Sequence, residues 1–132
     1  MPRRSAVEVP AGLRARLEAA RLDLLALFRA LDRMDLTPSE IPQRLIRQLF
    51  ELDADYAEAL WALDQAPGTL DAKALRDTLA ALEQLPAAST RLRKNLPPRA
   101  HPRLAQLEVT VRQSLLPAEA YSMVPGRDPQ NC

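Results

Sequence analysis

Three carboxylates, Glu51, Asp55 and Glu58, stand four and three positions apart, a spacing that sets them side by side on one face of a helix. Such a row would offer oxygen ligands to a hard divalent cation. The rest of that chemistry is missing from the sequence. A dinuclear carboxylate site in a helix bundle also needs a Glu followed three residues later by His on paired helices, and the chain has a single histidine, His101. The run Asp53-Ala54-Asp55-Tyr56 lacks the glycine turn of a calcium-binding loop. The row is therefore read as a solvated helix face, with Arg47 four residues before Glu51 forming an ordinary surface pair. No metal and no cofactor is expected.

His101 is the one side chain that titrates near neutrality, and between Ala100 and Pro102 it reads as a helix-cap or loop residue. The only cysteine, Cys132, is the last residue, where no catalytic geometry can be held. Ser89, Thr90 and Ser114 sit in no motif, and there is no phosphate-binding loop, dinucleotide fingerprint or zinc spacing. The expectation is a protein that is not an enzyme. One cysteine cannot make an internal disulfide. The start Met1-Pro2-Arg3-Arg4-Ser5 is basic but lacks the apolar run of a signal peptide. No stretch approaches the roughly 18 apolar residues of a membrane span. A cytoplasmic protein without a membrane partner is the reading, and sixteen arginines against two lysines suggest a GC-rich bacterial source.

Charge is sorted along the chain although its net value is only +1. Six acids and no bases lie between Gln48 and Ala72, while Arg91, Arg93, Lys94, Arg99 and Arg103 lie between Gln84 and Leu107 with no acid among them. The two segments would either face one another or leave the basic one free for an anion, a phosphate at the start of the fourth helix, or nucleic acid. Against nucleic acid, the basic segment holds no aromatic for base stacking. Anion or nucleic-acid binding through residues 91–103 is the alternative function.

The elements that must carry these residues follow from composition and spacing. At 132 residues, with 47% apolar and only 4% aromatic residues, the chain suits one domain with a Leu/Ala core. The fold class expected is all-α, a single-domain antiparallel four-helix bundle-like fold with proline-marked loops. Residues 1–9 are read as a flexible basic arm, 10–123 as the bundle and 124–132 as a flexible tail. Pro10 is placed in the first turn of helix one, whose stripe is Leu13, Leu17, Ala20, Leu24, Leu27/Phe28 and Leu31. Thr37-Pro38-Ser39-Glu40 reads as a capping box with a restart near Pro42, and Pro67-Gly68 ends helix two near Gln65. Thr69 is expected to cap helix three. Residues 70–95 make either one helix kinked at Pro86 or two, the former being favoured. A fourth helix restarts at His101-Pro102 and stops at Pro117, with one further turn open to Ala118–Met123.

Helix two is apolar over too wide an arc for one seam. Leu45, Leu49, Leu52, Tyr56, Leu60 and Leu63 share one face, while Ile46, Phe50, Ala57 and Trp61 form a second line about 100–120° away. Either the helix is central and touches two neighbours, or the second line is a seam for another chain, most simply a homodimer. The interface residues expected are Ile46, Phe50 and Trp61, joined by Leu22 and Leu25 of helix one. A small helical protein acting through protein–protein contact, as adaptor, assembly factor or accessory subunit, is the leading reading. A third reading is an apolar ligand cavity near Tyr56 and Trp61.

Overall fold

The computed structural model describes the backbone of residues 6–123 and the side chains of residues 6–115. The expected tail and the first five residues of the expected arm lie outside these. In chain order come β1 (Ala6–Glu8), α1 (Leu13–Asp32), α2 (Gln43–Gln65), β2 (Thr69–Asp71), α3 (Ala72–Lys94) and α4 (His101–Met123), with short 3₁₀ turns at Pro38–Glu40 and Pro98–Ala100.

The helices form where the leucine spacing places them. All six stripe positions of α1, Leu13, Leu17, Ala20, Leu24, Leu27 and Leu31, are buried, and Phe28 is half-buried beside them. On α2 the first apolar line supplies buried Leu49, Leu52, Tyr56 and Leu63. Leu82, Ala88 and Leu92 of α3 and Leu104 of α4 complete one continuous core. Cross-helix pairs give the directions. Phe28 meets Phe50, Arg21 meets Asp53 and Arg14 meets Asp64, so α1 and α2 are antiparallel. Arg91 bonds Gln48 and Tyr56 bonds Ala81, so α2 and α3 are antiparallel. Arg99 meets Glu40 and Arg112 meets Asp23, which sets α4 antiparallel to α1. The result is an up-down-up-down arrangement of four helices, all-α apart from a two-stranded clasp.

That clasp takes residues 6–9 out of the expected flexible arm. Ala6–Glu8 pairs antiparallel with Thr69–Asp71, with Val7 opposite Leu70, and the Val9 N–H donates to the Gly68 carbonyl at 2.9 Å. Leu70 is buried and Val7 half-buried, so the pair turns one apolar face inward while Glu8 and Asp71 face out. Because Thr69 is committed to the ladder, the cap of α3 is Asp71 and not Thr69. The Asp71 carboxylate accepts from Lys73 N–H at 3.0 Å and Ala74 N–H at 3.4 Å.

Prolines account for the other differences. Pro10 precedes α1 instead of entering it, and the helix starts after Gly12, whose φ of +84° only glycine adopts without strain. Thr37 N–H donates to the Glu40 carboxylate at 2.9 Å, holding a separate 3₁₀ turn before α2 restarts beyond Pro42, as the sequence predicts. Pro86 lies within one continuous α3, exposed on its outer side, so the favoured single helix is the one observed. Pro117 does not stop α4, which runs on to Met123. A proline inside a helix removes one backbone bond and can bend the helix without ending it.

Candidate functional site

The second apolar line of α2 divides in two. Ile46 and Ala57 are half-buried, Ile46 against the core, whereas Phe50 is 54% and Trp61 64% exposed. The same feature continues on α1, where Leu25 is 37% exposed and Leu22 half-buried. Between the two helices lies an open groove of about 690 Å³, bordered by Leu22, Leu25, Phe28 and Phe50, with Glu18, Arg21 and Asp53 at its polar end.

Local geometry explains why this groove stays open. Phe28 and Phe50 stack with ring centroids 4.4 Å apart and planes 22° from parallel, so each ring covers one face of the other and leaves the Phe50 outer face to solvent. One helical stretch further along, the Arg21 guanidinium forks onto both oxygens of Asp53, at 2.9 and 3.1 Å. That bidentate pair bridges α1 to α2 without filling the space above it. The hydrogen bond to Asp53 also raises the Arg21 pKa, keeping the guanidinium charged. Trp61 stands eleven residues, about 16 Å, along α2 from Phe50 on the same side of the helix. It does not border the groove.

Of the five expected interface residues, the structure brings Leu22, Leu25 and Phe50 together. Ile46 turns inward, and Trp61 extends the apolar line outside the groove. Sequence spacing alone does not reveal Phe28, Arg21, Asp53 and Glu18 as groove residues. Phe28 shares a stripe with core leucines, and the Arg21–Asp53 pair is visible only once the antiparallel register is known.

The basic segment is largely engaged within the fold. Arg93 forks onto Glu108 at 2.5 and 3.0 Å, and Arg99 reaches Glu40 at 2.6 Å. Arg91 donates to the Gln48 side chain at 3.1 Å. Lys94 and Arg103 are exposed. The His101 Nε2 lies 3.1 Å from the Leu96 carbonyl oxygen, a cap contact at the α3–α4 corner. Among the described residues no ion pair joins this segment to the acids between Gln48 and Ala72. Asp53 and Asp64 are taken by Arg21 and Arg14 of α1.

A second, smaller groove of about 480 Å³ runs between α2 and α3, bordered by Asp55, Glu58, Asp77 and the buried Thr78. Burial raises the Asp55 pKa, and the charges of Glu58, Glu51 and Asp77 raise it further. Asp77 is held low by its hydrogen bond from Lys73, at 2.8 Å. Among the described residues no group of three or more His, Cys, Asp or Glu side chains is arranged to hold a metal ion. Neither Tyr56 nor Trp61 borders either of the two grooves described. Tyr56 is fully buried and its hydroxyl donates to the Ala81 carbonyl at 2.7 Å, while Trp61 points to solvent. Among the described residues no helix is long and apolar enough to cross a membrane.

No protein-family model matches this chain, and no curated protein or solved structure is significantly similar to it.

Proposed function

We propose that this is a non-enzymatic protein that works by docking a protein chain on the α1/α2 face, as an adaptor, assembly factor or accessory subunit, self-association included. The exposed Phe50, seated beside Leu22, Leu25 and Phe28 at an open groove, carries the reading. Aromatic anchors at a concave apolar patch are what buried interface centres are made of. Scattered surface leucines need no explanation, but a Phe and a Trp exposed by more than half on one helix side do. The alternative, anion or nucleic-acid binding through residues 91–103, has less support, because Arg91, Arg93 and Arg99 already hold side chains of the same molecule. A cytoplasmic, bacterial setting belongs to the same proposal and rests on composition, with arginine in large excess over lysine and a single cysteine.

A photoreactive residue in place of Phe50 tests the proposal in cells. Adducts with a second protein chain, its own or foreign, that vanish when the probe is moved to exposed Glu83 on α3, are expected. Chains that stay uncrosslinked from position 50 would rule the face out.

A further inference from the structure

We infer that the α1/α2 groove is self-complementary and seats α1 of a second copy of this chain, antiparallel, about a two-fold axis between Leu22 and Leu25. The inference rests on the docking reading above and specifies its occupant.

The register comes from the outward side of α1. Glu18, Leu22, Leu25 and Arg29 are spaced four, three and four apart, which puts them in one row along the helix. All four are at least partly exposed. The row reads acid, leucine, leucine, base, and it is its own complement when reversed. Turning a second α1 end for end about the midpoint sets Leu22 against Leu25 of the second copy, and Leu25 against its Leu22. The same operation sets Glu18 opposite Arg29 of the second copy and Arg29 opposite its Glu18. A two-fold contact requires this kind of self-matching patch. A groove built for an unrelated helix carries no such constraint.

The monomer leaves these charges available. Arg29 makes no ion pair among the described residues, and Glu18 touches only Arg14, at 3.4 Å, while Arg14 is also held by Asp64. Moving Glu18 to a new arginine therefore strands no charge. The apolar part fits as well. Phe50 stacks on Phe28, three residues beyond Leu25, so the reversed helix brings its Ala19–Leu22 stretch to the level of the exposed ring. A small residue followed by a leucine fits over an aromatic edge.

The test uses the full chain in two charge-reversed variants, followed by light scattering behind size exclusion over a wide concentration range. The wild type is expected to dimerise, and Leu25→Asp to abolish the dimer while keeping the helical circular dichroism. Glu18→Arg alone juxtaposes two pairs of arginines, and Arg29→Glu alone two pairs of glutamates. Each variant by itself should dimerise about tenfold more weakly, from four pair energies of a few tenths of a kcal/mol each. Mixed together, the two variants restore both opposite-charge pairs and should form a heterodimer of wild-type strength.

A wild type that is monomeric at every concentration overturns the inference. So does a wild-type dimer, lost in Leu25→Asp, for which the mixed charge variants fail to regain wild-type strength, since its register would then be different. Neither outcome touches the docking proposal if position 50 still crosslinks to a foreign chain. A dimer that persists in Leu25→Asp, with position 50 uncrosslinked, removes both.

Discussion

Arg93 of α3 holds the carboxylate of Glu108 of α4 with two hydrogen bonds, and the two ends of that pair live in different surroundings. The Glu108 side chain is 7% exposed and the Arg93 side chain 41%. Removing the arginine leaves a carboxylate buried without its cation, whereas removing the glutamate leaves a guanidinium that water can still reach. Arg93→Ala should therefore cost about 2–3 kcal/mol, somewhat below the ~3–5 kcal/mol of a fully enclosed pair. Glu108→Leu should cost much less. Denaturant unfolding of both single variants and the double variant checks this, with the double expected to be more stable than Arg93→Ala alone.

Tyr56 is both packing and polar anchor between α2 and α3. Its phenol is fully buried and its hydroxyl donates to the Ala81 carbonyl at 2.7 Å. Tyr56→Phe should lose about 1 kcal/mol with the hydroxyl's hydrogen bond, and Tyr56→Ala about 3–5 kcal/mol through the cavity. Burial first, then the charges of Asp55 and Asp53, push the phenol up to about 12. A tyrosinate absorbance titration should show a late transition that is absent from Tyr56→Phe.

Asp55 should be a net liability at neutral pH. Its pKa is raised in the fold, chiefly by burial, so the native state binds that proton more readily than the unfolded chain. Stability is therefore lost as pH rises through the ordinary carboxylate range and beyond it, and the loss is complete once Asp55 is ionised in both states. Asp55→Asn should raise the melting temperature at neutral pH. The gain is no more than about 0.5 kcal/mol, because the carboxylate is only slightly withdrawn from water and remains largely screened by it. Thermal melts near pH 3, where both states carry the proton, should show the gain gone.

Glu40 has the opposite sign. The Thr37 backbone N–H and then Arg99 hold its pKa below the ordinary value, so its contribution is present above the carboxylate range and fades as pH falls through the lowered value. Glu40→Gln should lower the melting temperature at neutral pH and converge with the wild type in acid.

The Asp71 cap offers a local test of the α3 start. Asp71→Ala removes the acceptor for Lys73 and Ala74 N–H and should cost about 1 kcal/mol, whereas Thr69→Ala should cost less. Chemical denaturation of the two variants side by side separates the cap seen in the structure from the one expected by sequence position.

Helix number, order and core faces are legible in this sequence because apolar residues, mostly leucine, recur at three-four spacing for three to six turns in each helix, a signal that tertiary contacts reinforce. The clasp is not legible. Val7 and Val9 flank Glu8 over too few residues to show alternation, and their partner strand lies some sixty positions further on. Pro117 misleads because a proline rule describes a local cost, and a long helix outweighs it with its remaining bonds. The groove is half legible. Phe50 belongs to a second apolar line on α2, but whether that line meets a neighbour depends on how far α1 reaches around, which packing decides. The pairing of Arg93 and Arg99 with Glu108 and Glu40, and not with the acids after Gln48, depends on register in the same way.

The Val7–Leu70 pairing has a consequence for the order in which the molecule assembles and comes apart. It ties the beginning of the described chain to the α2–α3 corner and so encloses α1 and α2 in one long loop. Contacts this distant in sequence form after neighbouring helices have already met, and a ladder of three residues per strand has little stability of its own. The clasp should therefore be the last piece to close and the first to breathe, releasing its amide protons well before the leucine core gives up any. A latch of this kind adds its stabilisation only to a bundle that is already built.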